Sequence, residues 1–182
     1  LIGTSFNNAS LNDAKFDHSL ISNATFRSAD ATNASFKYAV GAGADFTNAD
    51  LSASNFYRAQ LRGAKFLNAK LQYIEAQEAS FDSIVADYAN FSHANLPYAW
   101  MYKAQLKNTN FKHANMYCVK LQQADLTEAD MTSAKMGKTN LRSSILASTK
   151  FNAAVLDNAD LRNADLTYTE FGTATKMNTK FE

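Results

Sequence analysis

His93 and His113 stand twenty residues apart, and Tyr73 stands twenty before His93. If twenty residues return the chain to the same place, the two imidazoles stack about 5 Å apart, the spacing of neighbouring strands. Two imidazoles at that distance could share a divalent cation. A protein zinc site takes three or four ligands, and the series continues only to Ala53 and Ser133. The expectation is therefore a surface aromatic ladder and no metal. The same stretch gathers Tyr88, His93, Tyr98, Trp100, Tyr102, His113 and Tyr117 as a candidate partner-binding surface, because Trp and Tyr are frequent interface anchors. The competing explanation is that Tyr is simply favourable on an exposed strand.

Other chemistry finds little footing. Asp45, Asp50, Asp125, Asp130, Asp160 and Asp165 each directly precede a large apolar residue. A structural role beside turns accounts for them without catalysis. No nucleophile motif or Gly-rich phosphate loop occurs, and no insertion builds a cleft. The chain is expected to be no enzyme, with no catalytic residues and no cofactor. Its charges come in bands: Arg58, Arg62, Lys65 and Lys70 are basic, Glu75, Glu78, Asp82 and Asp87 acidic, and Lys103, Lys107, Lys112 and Lys120 basic again. Basic residues beside aromatics suit nucleic acid, but lysines spread over one turn point to different sides. They make a ring rather than a groove, so nucleic acid is disfavoured as a partner.

What brings these groups together is a repeat. All 13 Phe residues, from Phe6 to Phe181, occupy positions one more than a multiple of five. Calling that slot i, 32 of its 37 occurrences are Phe, Leu, Met or Ile, and 24 of the 36 residues at i−2 are Ala. A period of five fits neither regular element. On an α-helix the apolar stripe would drift by about 140° per repeat, and on a strand an odd period flips successive residues to opposite faces. Bending the backbone once per pentad keeps i−2 and i pointing inward together. In the first 70 residues Phe alternates with other residues at slot i, a ten-residue period that needs an even number of sides. Four sides stack Phe6, Phe26, Phe46 and Phe66 in one column and Phe16, Phe36 and Phe56 in the opposite one.

The expected fold class is all-β: a right-handed quadrilateral parallel β-helix, a β-solenoid of about nine turns of 20 residues and about 43 Å in length. Departures from the pattern test it. Ala76 and Ala86 lack a large side chain, but Ile74 and Ile84 supply one two residues earlier. Ala31 and Gly41 have no such partner, so a cavity or distortion is expected there. Lys176 cannot sit unpaired in an apolar core; fraying or capping is expected, with Met177 turned inward.

Ala159-Asp160-Leu161, Ala164-Asp165-Leu166, Ala124-Asp125-Leu126, Ala49-Asp50-Leu51 and Ala44-Asp45-Phe46 resemble the A(D/N)LXX motif of the pentapeptide-repeat family. The resemblance runs the whole length of the chain and implies a right-handed quadrilateral β-helix. It also implies a second line of function, since some members of that family bind DNA gyrase, mimic duplex DNA and give quinolone resistance. Such mimicry calls for a dense negative surface, whereas this chain carries 18 basic and 17 acidic residues.

One unbroken register implies a single domain over residues 1–182. No apolar run approaches the roughly 18 residues of a membrane span, and the one cysteine, Cys118, forms no internal disulfide. Solenoids need covered ends, and the repeat runs through both; the chain is expected to be part of a longer protein, or to associate end to end or along its edges. The leading expectation is a non-catalytic structural and protein-interaction module, a rigid docking rod or spacer whose protein partner is unidentified. The alternative is topoisomerase binding by DNA mimicry.

Overall fold

The computed structural model describes all residues from Leu1 to Glu182. Each pentad first closes on itself. The slot-i carbonyl accepts a hydrogen bond from the amide three residues on, as in Ala9 N to Phe6 O at 3.1 Å and Ala49 N to Phe46 O at 3.0 Å. The third residue of that turn, at i+2, has positive φ: 32 non-glycine residues do so, from 53° at Ser28 to 62° at Tyr98. Positive φ at the third position alone is the signature of a type II turn. An L-residue there costs about 1–2 kcal/mol, and a β-branched one is worse placed still. Thr173 is the only β-branched residue in the i+2 slot. There the positive φ passes to Gly172, at 42°.

Neighbouring coils then bond along the axis. Thr25 N reaches back to Thr4 O at 2.9 Å, while Phe26 N and Ser28 N reach forward to Asp45 O at 2.7 Å and Thr47 O at 3.0 Å. Parallel bridges join residues twenty apart, from Ser5 and Thr25 to Asp160 and Lys180. The expected short strands are reduced to single bridged residues, because the turn occupies four residues of every five. Twenty residues comprise four pentads, so the parallel β-helix is four-sided. Its faces are named here by their bridged residues in one coil: Asn95, Trp100, Gln105 and Asn110.

One amide per pentad, at i+1, finds no backbone acceptor, and this accounts for the repeated Asp and Asn. At i−1 their side chains accept from it: Thr47 N donates to Asp45 Oδ1 at 3.0 Å, Tyr57 N to Asn55 Oδ1 at 2.9 Å and Thr132 N to Asp130 Oδ1 at 3.0 Å. Where i−1 is not Asx, an Asx in the preceding coil can serve. Lys107 N donates to Asp87 Oδ1 at 2.8 Å, and Tyr102 N to Asp82 Oδ1 at 2.9 Å. Leaving a backbone donor unpaired is costly, which is a structural reason for the motif.

The interior is a single cluster of 53 buried residues. Phe26 stacks on Phe46 at 4.7 Å between ring centroids, Phe46 on Phe66 at 5.0 Å, and Phe36 on Phe56 at 4.9 Å. Across the axis the two columns meet edge to face, Phe36 and Phe46 at 5.6 Å. These are the two columns that four sides require. Hydroxyls at i−2 are also satisfied inside. Thr139 Oγ1 donates to Met116 O at 2.8 Å and Thr149 Oγ1 to Leu126 O at 2.8 Å.

The departures resolve in different ways. Ile74, Ala76, Ile84 and Ala86 are all fully buried, so large and small side chains do exchange slots. Gly41 leaves no hole: a Cβ built on it would lie 2.7 Å from Leu61 Cδ2 and 2.8 Å from Ile21 Cγ1, so the residues below and above have closed over it. Lys176 is exposed. Its Nζ donates to Ala174 O at 3.1 Å and lies 5.4 Å from the Phe171 ring centroid. Met177 points out, 69% exposed, because the outermost coil has no neighbour to bury it.

Buried and half-buried carboxylates link this framework to pH. Burial pushes Asp45, Asp125 and Asp130 up, but the Thr hydroxyl and amide donors beside each, and Arg27, Lys107 and Lys112, outweigh it and hold all three below the usual carboxylate range. A carboxyl lowered in the folded state adds stability that is complete above its unfolded pKa of about 3.9 and is lost as pH falls through the folded value. The melting temperature is expected to stay level from neutral pH down to about pH 5 and to fall below about pH 4. An Asp45→Asn, Asp125→Asn, Asp130→Asn variant keeps the amide caps, as Asn55 and Asn90 do. It should be less stable at neutral pH and lose part of the acid-induced fall, the rest staying with Asp30, Asp50, Asp160 and Asp165, which are also held below the usual carboxylate range. An unchanged acid slope in thermal melts would show that these carboxylates do not matter.

Candidate interaction face

Since the interior is full, any site must use the outward slots i−1, i+1 and i+2. Tyr73 and His93 stack at 4.9 Å, and His93 and His113 at 4.9 Å, forming the expected ladder along one corner of the Asn95 face. No group of three His, Cys, Asp or Glu side chains is placed to hold a metal ion. The floor of that face is a polar ladder: Asn95 Nδ2 donates to Glu75 Oε2 at 2.8 Å, and Asn115 Nδ2 to Asn95 Oδ1 at 2.9 Å. Its other edge carries Tyr57, Pro97 and Tyr117, with Tyr117 edge-on to Tyr98 at 5.8 Å. Two shallow depressions run along it, the larger of about 790 Å³ between Tyr38 and Tyr98.

Around the next corner lies the Trp100 face. Tyr98, Trp100 and Tyr102 stand in one coil, 52%, 54% and 38% exposed. A bridged residue and its two flanking corner residues share a face, so the three rings cross it side by side. Grooves border Trp100 on both sides, one lined by Glu78, Tyr98, Cys118 and Lys120, the other by Asp82, Tyr102, Lys120 and Gln122. The second continues past Gln123 to Asn140, Arg142 and Ser143. Of the seven candidate residues, Tyr98, Trp100 and Tyr102 thus share one face. Tyr117, His93 and His113 border the adjoining Asn95 face, and Tyr88 stands at the corner between Val85 and Asn90, remote from Trp100.

The expected ring of four lysines is only half a ring. Lys107 pairs with Asp125 at 3.3 Å and Lys112 with Asp130 at 3.0 Å. Lys103 lies over the Tyr102 ring at 5.1 Å and Lys120 beside Trp100. Arg58 and Glu78 meet as expected, at 2.7 Å, an exposed pair of little energetic value. The sequence pattern names Lys120 only as one of a ring of lysines, not as the residue directly above Trp100, and does not single out Lys138, Gln122 and Arg142 nearby. Adding twenty to Trp100, and twenty and forty to Tyr98 and Tyr102, would have found all but their exposure.

A four-sided parallel coil with a filled interior and all its variation outside defines a β-solenoid repeat protein. A pentapeptide repeat region model matches residues 2–76, and the pentapeptide repeats (8 copies) model matches 87–127, 104–146 and 144–174. The chain belongs to the pentapeptide-repeat family. Comparison with curated proteins gives no match. Among solved structures it is similar to QnrB1, a plasmid-mediated fluoroquinolone resistance protein, with TM-score 0.82 and 22% identity over 92% of this chain and 86% of that one. It is also similar to the pentapeptide repeat protein Rfr23 from the cyanobacterium Cyanothece 51142, with TM-score 0.51 and 24% identity over 51% of this chain and 64% of that one. At these identities the likeness is one of fold.

Proposed function

We propose that the chain is a non-catalytic interaction module: one domain over residues 1–182, a right-handed coil of about nine turns that presents its outer faces to a protein partner. The observation that carries this reading is the Tyr98, Trp100 and Tyr102 row, three large exposed aromatics held side by side on a rigid face. Rigid aromatics bind with little loss of side-chain entropy. Tyr117, His93 and His113 extend the same surface around the corner, whereas Tyr88, on the Asn90 side of the rod, lies outside it.

The reading is tested by placing a photo-crosslinking amino acid at Trp100, at Tyr117 or at Asn90 on the opposite side of the rod, in a lysate of the source organism. Discrete protein adducts from Trp100 and Tyr117 but not from Asn90 are expected. Equal labelling at all three sites, or none at any, would overturn it. A second reading, topoisomerase binding, draws on the fold shared with QnrB1. The net charge of +1 and the cations beside Trp100 argue against DNA mimicry. A gyrase supercoiling assay at micromolar protein separates the two readings.

A further inference from the structure

The Trp100 face is divided electrostatically at Trp100 itself. Below it, Glu78 is held by Arg58 at 2.7 Å, and Asp82 accepts the Tyr102 amide at 2.9 Å. Above it, Lys103, Lys120, Lys138 and Arg142 are exposed, and none of them forms an ion pair with a carboxylate. Lys138 instead lies 5.7 Å from the Tyr117 ring centroid. The next acids up are Asp157, which lines a depression with Lys138 and accepts the Met177 amide at 2.9 Å, and Asp160, which pairs with Arg162 at 2.6 Å while Arg142 adds its field to that carboxylate. The face thus holds a window of unneutralised positive charge about two coils, or roughly 10 Å, long, closed at both ends by carboxylates and bordered below by aromatic rings. In its floor lies the only buried side-chain polar atom of the protein without a hydrogen-bond partner, Gln122 Oε1.

Building on the interaction reading above, we propose that this window docks an acidic, extended protein segment bearing one apolar anchor. The anchor packs among Tyr98, Trp100 and Tyr102. Carboxylates of the segment meet Lys120 and Arg142, with Lys103 and Lys138 at the two corners, and a segment amide donates to Gln122 after its side-chain amide turns. Roughly 10 Å accommodates about three or four extended residues, so the complementary element is short. A single nucleic-acid strand needs a basic track that continues along its backbone, and here carboxylates close the track in both directions.

Trp100 is the only tryptophan, so its emission reports binding directly. The probes are a peptide of about eight residues with four Asp or Glu and one Phe, its charge-reversed twin, and an oligo(dT) of similar length. With the full chain, the acidic peptide is expected to shift Trp100 emission saturably, and about 0.5 M NaCl should weaken it. A Lys120→Glu, Arg142→Glu variant should bind at least about tenfold more weakly, while Lys150→Glu on the Asn110 face should bind unchanged. Thermal melts confirm that each variant is folded. No saturable shift, an equal response to the charge-reversed peptide, tighter oligo(dT) binding, or unchanged affinity in the double variant would each overturn the proposal. If the peptide fails while protein adducts at Trp100 persist, this inference falls and the interaction reading stands.

Discussion

Phe46→Ala is expected to destabilise the protein by about 3–5 kcal/mol, near the upper end for a single core substitution. The Phe46 ring is fully buried. It stacks on Phe26 at 4.7 Å and Phe66 at 5.0 Å and meets Phe36 and Phe56 edge-on at 5.6 and 6.1 Å. Truncation removes one member from both stacked columns' contacts at once, and the backbone cannot collapse inward, because its bridges fix the coil spacing. Phe6→Ala in the first coil removes a partly exposed ring with a neighbour on one side only, and should cost clearly less. Urea unfolding of both variants decides the matter. Equal losses would mean that neither depth of burial nor stacking within the Phe columns sets the cost.

The second large effect runs against the repeat pattern. Gly41 occupies a slot where Leu is the commonest residue, so Gly41→Leu restores the consensus and would ordinarily be expected to stabilise. The structure reverses the sign. Leu61 and Ile21 already occupy the space a Cβ would need, at 2.7 and 2.8 Å. A leucine must displace both, and overpacking of this kind costs about 1–3 kcal/mol, occasionally more. The Leu61 terminal methyl can move; the Ile21 Cγ1, nearer its backbone, has less freedom. A raised melting temperature for Gly41→Leu would disprove the account, whereas recovery of stability on adding Leu61→Ala would support it.

Residue spacing alone carries the interior. Slots i and i−2 determine four sides, the Phe columns and the exchange at Ile74 and Ala76, because a core with one repeat length has few ways to be filled. Gly41 was misjudged, since the space it leaves is taken by residues twenty away in either direction, a packing response no local pattern records. The left-handed corners also escaped notice. Their trace in the sequence is an exclusion: β-branched residues are missing from i+2 except at Thr173, where the turn changes. The outer surface was legible only in part. The His ladder and the Arg58–Glu78 pair follow from adding twenty, but ring orientation, the pairing of Lys107 and Lys112, and the unpaired charge beside Trp100 depend on side-chain rotamers that the spacing leaves free.

The bonds that join coil to coil lie along the rod, and this sets how the molecule responds to force. Tension between the chain ends pulls directly on the terminal coils, each bonded to a neighbour on one side only, so they peel away before any interior coil yields. Each coil that detaches releases twenty residues, lengthening the chain by roughly 60–70 Å at up to about 3.3–3.6 Å per residue while giving up about 5 Å of rod. Under stretch such a rod pays out slack in quanta from its tips, and the aromatic row at mid-length is among the last parts to be disturbed.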